Sequence, residues 1–256
     1  MRNHGSRFEI LRMKPHDHIG WTFSGNRDFS ALAEQFLREG ASLNERLMYV
    51  AEDPDPTEFG RWTEELYPGT LIPASTAEVY GESGIIDAAR QRATFAAVLA
   101  DALAEGYSGI RVAADNTRLV IDLERLESWI RWEVVADQFM AENQVTGLCA
   151  FDRDQVDVGT LTDLASLHPL SQAGSPAPKF RLFTNDGVLW VTGEVTIGAL
   201  EQAELALQAL PPKTDVIVDL TAIDGISAGL LAAVDRLRRA GAAVTLLGTS
   251  GTFQEQ

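Results

Sequence analysis

The stretch His18-Ile-Gly-Trp-Thr-Phe23 decides how the first half of the chain is interpreted, because it has the length and apolar content of a short buried strand. Ser24-Gly-Asn-Arg27 follows as a turn, and apolar residues then recur at helical spacing up to Gly40. These spaced residues are Phe29, Leu32, Phe36 and Leu37. The sequence therefore predicts a strand, a turn and a helix in direct succession.

Strands and helices continue to alternate further along the chain. Strands are predicted at Arg46–Ala51, Gly109–Ala114 and Val145–Phe151, with a shorter one at Leu71-Ile72. Long amphipathic helices are predicted at about residues 84–105 and 123–142. This alternation is typical of a mainly parallel sheet that helices cover on both faces, so the fold class is α/β.

A change of composition after His168-Pro169 predicts the boundary between two domains. The following residues, LSQAGSPAPK, are rich in Pro, Ser, Gly and Ala, which is typical of a solvated connector. Beyond it, Asn185-Asp-Gly187 predicts a β-hairpin, followed by helix, strand, helix and strand in a small α/β domain. The expected organisation is a flexible arm at 1–15, a first domain at 16–169, a linker at 170–179 and a second domain at 180–256.

Composition excludes several classes of function. The chain of 256 residues has a net charge of −16, which is unsuited to neutralising phosphates, so we expect no direct nucleic-acid binding. Its single cysteine, Cys149, cannot form an intrachain disulfide and fits a reducing compartment. No apolar stretch reaches the roughly 18 to 20 residues that span a bilayer, and residues 1–18 contain no signal-peptide core. We expect a cytoplasmic protein without membrane contact.

The second domain contains three consecutive sequence segments that form a recognisable pattern. Asp219-Leu-Thr221 closes an apolar strand, Ala222-Ile-Asp-Gly-Ile226 forms a short loop, and Ser227-Ala-Gly-Leu-Leu231 opens a helix. These phrases and the order of elements resemble the STAS domain of bacterial anti-sigma-factor antagonists. The resemblance implies that an anti-sigma kinase of the GHKL type docks on this loop and phosphorylates a serine at the helix start. The docking and phosphorylation residues it implies are Asp224, Gly225, Ser227 and Gly229.

The helix start departs from the STAS pattern. Alignment on Ile226 and Leu231 puts Ser227 where the family has an aspartate, and Ala228 where the family has the phosphorylated serine. A phosphate at a helix N-terminus is stabilised by free N–H groups and the helix dipole. Two interpretations of Ser227 therefore stay open, a regulatory phosphosite and a simple helix N-cap.

The first domain has a strand, helix and strand pattern that resembles the RecA-like core, yet it lacks the residues that hold phosphates there. A P-loop needs Gly-x4-Gly-Lys-Ser/Thr after the first strand, whereas the turn here is Ser24-Gly-Asn-Arg-Asp28. The only lysines of the chain, Lys14, Lys179 and Lys213, are not near that turn. We therefore expect no hydrolysis of ATP.

Five sequence segments of the first domain together form a second recognisable pattern. They are His18-Ile-Gly-Trp-Thr-Phe23, Gly106-Tyr-Ser-Gly-Ile-Arg111, Trp132-Glu133, Leu148-Cys-Ala-Phe-Asp152 and Leu167-His-Pro169. Together they resemble the MEDS domain, which is similar to RecA and KaiC but lacks the phosphate loop. The resemblance covers residues 16 to 170 and implies a sensor of small, hydrocarbon-like molecules.

A ligand site is expected at the carboxyl ends of the strands, where open parallel sheets bind small molecules. Aromatic edges with a few polar groups would form an apolar pocket there. The predicted ligand-binding residues are His18, Trp21, Phe23, Glu133, Cys149, Phe151, Asp152 and His168. A structural role stays the alternative for Trp21 and Phe23 as core aromatics, and for Glu133 as a solvated or Arg-paired helix residue.

Cys149, His168, His16 and His18 are also residue types that bind transition metals or form nucleophilic pairs. A metal would need further ligands from far along the chain, and a cysteine inside an apolar strand is usually an inert core residue. We therefore predict no metal, no cofactor and no catalytic residue.

The sequence as a whole predicts a cytoplasmic signal-transduction protein that regulates transcription as an anti-sigma-factor antagonist. In this interpretation a MEDS-like domain senses a small molecule and controls a STAS-like domain that docks to an anti-sigma kinase. Two alternatives stay open, an enzyme that depends on Cys and His or on a metal, and a stressosome-like scaffold without ligand sensing. Whether the chain forms a homo-oligomer is also left open.

Overall fold

The computed structural model describes residues 2–54, 69–174, 177–178, 180–186, 188–193, 205–208, 215–219 and 228–247. These residues form a seven-stranded sheet, a four-stranded sheet and the helices that pack on them. The predicted α/β class, with a large parallel sheet and a small second sheet, is confirmed. No helix among the described residues is both long and apolar enough to cross a bilayer.

All strand pairs of the large sheet are parallel. Its strands are β1 (Gly5–Arg7), β2 (His18–Phe23), β3 (Arg46–Ala51), β4 (Leu71–Ser75), β5 (Ile110–Asp115), β6 (Val145–Asp152) and β7 (Leu170–Gln172). They lie in the order β1-β7-β2-β6-β5-β3-β4. β2 and β6 are therefore neighbours at the centre, although more than a hundred residues separate them in sequence.

Five α-helices of the described residues connect these strands, and side chains cap the N-termini of four of them, all but the first. They are α1 (Gly25–Ser42), α2 (Thr76–Tyr80), α3 (Ala88–Ala104), α4 (Leu123–Glu142) and α5 (Val158–Ser166). The Asp87 carboxylate accepts hydrogen bonds from the N–H groups of Ala89 and Arg90, which explains why α3 begins later than the predicted residue 84. Asp122 and Asp157 cap α4 and α5 in the same way.

The large sheet has a different helix layer on each face, because side chains alternate along a strand. Ile19 of β2 packs with Phe29 and Phe36 of α1 on one face. Cys149 of β6 packs with Trp129 and Trp132 of α4 on the other. Neighbouring residues of β2 and β6 thus face different layers, and this decides which of them can meet.

The small sheet has the order β11-β10-β9-β8, with β8 (Phe180–Asn185), β9 (Val188–Gly193), β10 (Val216–Asp219) and β11 (Val244–Leu247). β8 and β9 are antiparallel, as the hairpin sequence predicts, and the other two pairs are parallel. Residues 205–208 are helical, and α6 (Ala228–Arg239) precedes β11. Gly187 of the hairpin lies outside the described residues.

Helix α4 contacts both sheets. Its Ile130 and Val134 belong to an apolar cluster with Leu167 and with Phe180 and Leu182 of β8. This cluster continues through the core of the second sheet. Both sheets therefore pack against buried residues of α4.

The arm and the linker contain more regular structure than the sequence predicts. Gly5–Arg7 forms β1, and Leu170–Gln172, the start of the predicted linker, forms β7 beside it. Strands of three residues give almost no periodic signal, which explains why sequence patterns do not reveal them. The domain boundary itself stays a prediction.

A buried ion pair joins α1 to strand β5 of the large sheet. Arg111 of β5 is fully buried, and its Nε lies 2.5 Å from Oε2 of the buried Glu45. Its Nη1 contacts Glu39 at 3.1 Å, and its Nη2 donates to the carbonyl of Met13 at 3.0 Å. The guanidinium also lies 4.8 Å from the centre of the Phe36 ring. Arg111 therefore neutralises a carboxylate that has little access to water.

We predict that Arg111→Ala lowers the free energy of unfolding by about 3–5 kcal/mol, because it leaves Glu45 buried without its charge partner. Urea denaturation measures this change. The control is Arg38→Ala, which breaks the solvent-exposed Arg38–Glu34 pair on α1 and should cost no more than about 1 kcal/mol. Equal losses for the two variants would contradict the structural role of Arg111.

Candidate functional site

Four ionisable side chains meet in the core between the large sheet and α4, and we call them the polar centre. They are His18, Glu133, Cys149 and His168. All four are buried, with no exposed surface for His18, Glu133 and His168. One nitrogen, oxygen or sulfur atom from each lies within 4.8 Å of the others. Such a cluster is unusual in a core that is otherwise apolar.

Glu133 lies between the two imidazole rings. Its Oε1 is 2.8 Å from Nε2 of His18 and 2.8 Å from Nε2 of His168. The Nε2 of His18 is also 3.4 Å from Sγ of Cys149. The two ring centroids are 4.4 Å apart. One carboxylate oxygen therefore contacts both histidines at ionic distance.

Each histidine is held by a hydrogen bond on its other ring nitrogen. The Nδ1 of His18 lies 3.1 Å from Oδ1 of Asp137, and the Nδ1 of His168 lies 2.8 Å from the carbonyl oxygen of Leu164. Both partners are acceptors, so Nδ1 carries the proton in each ring. The Nε2 atoms are left facing the polar centre.

The sequence builds this arrangement through strand register and two glycines. β2 pairs with β6 so that His18 lies opposite Gly147, and Gly20 lies opposite Cys149. A Cβ on Gly20 would lie 2.8 Å from Nδ1 of His168, so only glycine leaves room for that ring. A Cβ on Gly147 would lie 2.7 Å from the flexible end of Met140 and 3.4 Å from Cδ2 of His18, an ordinary contact distance.

The charges of the polar centre are strongly coupled. Burial raises the pKa of Glu133, but His168 and His18 outweigh it and lower that pKa to about 2. Burial lowers the pKa of His168, but the Glu133 carboxylate raises it to about 9. Burial also lowers the pKa of His18, and its acidic neighbours reverse this and raise it well above its usual value. Glu133 is therefore ionised, and positive charge is favoured beside it.

Asp137 connects the polar centre to the second sheet and to the N-terminal arm. Besides its contact with His18, its Oδ2 accepts a hydrogen bond of 2.6 Å from the backbone N–H of Thr184 in β8. Its Oδ1 lies 2.6 Å from Nη1 of Arg2. Burial raises the pKa of Asp137, but Arg2 and His18 hold that pKa below its usual value. Three parts of the chain thus bond to one buried carboxylate.

The sequence profile of the MEDS family, described as MEthanogen/methylotroph, DcmR Sensory domain, matches residues 17–169. The chain belongs to the MEDS family. All four residues of the polar centre lie within the matched range of this MEDS domain.

Other comparisons add little. A solved STAS domain of an antisigma-factor antagonist from Rhodobacter sphaeroides is 18% identical, with 27% of this chain and 84% of that chain covered and a TM-score of 0.20. No curated protein matches the chain. The predicted resemblance to MEDS is confirmed, and the resemblance of residues 180–256 to STAS stays a prediction.

Of the eight predicted ligand residues of the MEDS domain, four form the polar centre and one borders it. Phe151 packs edge-on against His168 with 6.2 Å between ring centroids. Trp21 and Phe23 lie on the opposite face of the sheet with the α1 cluster, where Phe23 is 5.1 Å from Phe29. Asp152 ends β6, and its carboxylate accepts hydrogen bonds from Asp154 and Gln155.

The residues predicted for kinase docking lie mostly outside the part of the chain that the structure describes. Asp224, Gly225 and Ser227 lie outside the described residues, and Gly229 lies in the first turn of α6. His16, which the sequence groups with the metal-binding types, points elsewhere, since its Nδ1 is 3.1 Å from the carbonyl oxygen of Met140.

Several cavities border the described part of the MEDS domain, and two of them bear on the predicted ligand site. A small apolar cavity of about 20 Å³ touches Cys149 and is lined mainly by Tyr80, Phe95, Trp132, Phe139 and Met140. It has room for about one water-sized group. A cleft of about 480 Å³ lies at the carboxyl ends of β3 and β5 and includes Ala51, Asp115 and Arg118. None of the eight predicted ligand residues lines this cleft.

Asp137 and the two glycines contribute to the candidate site, but the sequence patterns do not single them out. The available signal is the segment Trp132-Glu-Val-Val-Ala-Asp137, where two acidic residues four positions apart share a helix face that is otherwise apolar. Acidic residues in such a setting are buried only when they are paired.

We predict that Gly20→Ala destabilises the protein by about 1–3 kcal/mol, because the added methyl group overlaps the His168 ring. In a His168→Ala background the same change should cost little, since the ring is gone. Thermal or urea unfolding of the two single variants and the double variant measures this coupling. Additive losses would show that Gly20 does not position His168.

Proposed function

We propose that this chain is a signalling regulator of the anti-sigma-factor-antagonist type and not an enzyme. In this proposal the MEDS domain senses a small molecule, and residues 180–256 act as a STAS-like output that docks to an anti-sigma kinase. Membership of a sensory family supports the input half. The order of elements and the phrases around Ser227 support the output half.

The observation that carries the proposal is the position of Asp137 between the two halves. One oxygen of its carboxylate contacts His18 in the polar centre, and the other accepts the N–H of Thr184 in the second sheet. A change in the bonding of His18 therefore alters the electrostatic environment of β8 across a single side chain. A sensor needs such a connection between its site and its output.

Two further contacts support transmission between the halves. Arg181 of β8 donates from Nη1 to the carbonyl oxygen of His168 at 3.0 Å, and from Nη2 to Oγ of Ser171 at 2.8 Å. The apolar cluster of Ile130, Val134 and Phe180 also joins α4 to β8. Because packed interfaces move as units, displacement of His168 is expected to shift β8.

The chemistry of the first half favours binding over turnover. The turn before α1 has no lysine to hold a terminal phosphate. Cys149 is buried at 8% exposure, whereas a reactive cysteine needs access to its substrate. Both observations support a regulator.

At the output end, α6 begins at Ala228, directly after Ser227 in the chain. A negative charge added at Ser227 would change a docking surface while remaining compatible with a helix start. We therefore predict that the intact protein recovers a GHKL-type kinase from the cytoplasm of its source, and that Ser227→Glu lowers recovery at least about tenfold. Quantitative mass spectrometry of the captured proteins measures the difference.

The matched control is Ser42→Glu, which adds the same charge at an exposed position at the end of α1. This variant should recover the kinase like the intact protein. Failure to capture a kinase, or equal capture by Ser227→Glu, would overturn the proposed partner. Assembly of the purified chain into large particles without a kinase would favour the scaffold alternative instead.

A further inference from the structure

We propose that the polar centre is a metal site, in which His18, Glu133, Cys149 and His168 together bind one divalent transition-metal ion. Zn²⁺ suits this set best. The proposal does not depend on the signalling role, since it concerns only what the four side chains hold.

The donor set matches the preferences of zinc. Two imidazole nitrogens, one thiolate sulfur and one carboxylate oxygen are the ligand types that Zn²⁺ takes in four-coordinate protein sites. The four donors come from β2, α4, β6 and the segment between α5 and β7, and only the folded chain brings them together.

Distances between the donor atoms are close to those of a single coordination shell. Ligands at about 2.0–2.3 Å from a tetrahedral ion lie about 3.3–3.6 Å from one another. Here His18 Nε2 is 3.4 Å from Cys149 Sγ, each Nε2 is 2.8 Å from Glu133 Oε1, and all donors lie within 4.8 Å. Closing a separation of 4.8 Å to about 3.6 Å takes about 1.2 Å in all, which two side chains would share.

The bonds on the far side of each imidazole are those that metal-binding histidines make. A ligating histidine usually donates its other N–H to a carboxylate or a backbone carbonyl, which orients the ring. Asp137 is the carboxylate for His18, and the carbonyl of Leu164 serves His168. Gly20 supplies the space for the His168 ring. The rings are therefore oriented before an ion arrives.

Unsatisfied polar atoms also point to an ion. Among the described residues, both carboxylate oxygens of Glu133 and the Nε2 of His168 are buried without an aligned hydrogen bond, despite their short distances. Such groups are costly to bury unless something satisfies them. A divalent cation would accept their lone pairs. It would also balance the negative charges of one carboxylate and one thiolate, leaving a neutral centre beside two neutral imidazoles.

Cobalt is the probe that tests the proposal most sharply, because Co²⁺ replaces Zn²⁺ in such sites and absorbs light. We predict that the chelator-treated full-length protein binds one Co²⁺ per chain with a thiolate-to-cobalt charge-transfer band, which added Zn²⁺ abolishes. Cys149 is the only cysteine of the chain, so the band identifies its sulfur as a ligand. The protein as purified should contain close to one equivalent of metal by elemental analysis.

Two variants complete the test. Cys149→Ser should lose the charge-transfer band and bind Co²⁺ at least about tenfold more weakly. His16→Asn is the matched control, because it removes a nearby imidazole that bonds to Met140 instead and asparagine tolerates the positive φ at that position. It should bind Co²⁺ like the intact protein.

The proposal is overturned if the folded intact protein shows no thiolate band with excess Co²⁺, whatever the variants do. It is also overturned if Cys149→Ser keeps the affinity of the intact protein. Should Cys149→Ser fail to fold, the spectrum and the metal content of the intact chain decide the question.

Discussion

The carboxylate of Glu133 has no exposed surface, so its negative charge must be balanced by groups around it. An unpaired carboxylate in an apolar core costs several kcal/mol, so a fold that keeps one must place partners around it. His18 and His168 are those partners, and each is held by a separate bond to Asp137 or to Leu164. The pairing of β2 with β6 brings His18 and Cys149 into this centre, and Gly20 on β2 leaves the space that the His168 ring needs.

Helix α4 links the polar centre to the second sheet, because it lies between the two sheets and contributes an acidic residue to each. Glu133 serves the large sheet, and Asp137, one turn later, bonds to both His18 and Thr184. Ile130 and Val134 pack against the second sheet from the same helix. A ligand or ion that changes the bonding of His18 therefore acts on an element that both halves share. This shared helix is the physical basis of the proposal that the MEDS domain and the second sheet communicate.

Local structure is largely predictable from this sequence, whereas the site is predictable only in part. The strands His18–Phe23 and Arg46–Ala51 and the helix Leu123–Glu142 follow the predicted bounds, because apolar spacing is a local property. Convergence of His18 with His168 depends on strand order and register, which no local pattern contains. Strand alternation also separates Trp21 and Phe23 from His18, although all three lie within six residues. Metal binding is hard to predict from the sequence because the four side chains of the polar centre are spread over 150 positions, from His18 to His168.

Amide hydrogen exchange at Thr184 reports whether Asp137 couples the polar centre to the second sheet. NMR-detected exchange is compared between the intact protein and His18→Gln, with the amide of Leu182 in the same strand as reference. Exchange at Thr184 should accelerate about tenfold, equivalent to a loss of roughly 1.4 kcal/mol of local protection, while Leu182 changes little. Unchanged exchange at Thr184 in the folded variant would contradict the coupling.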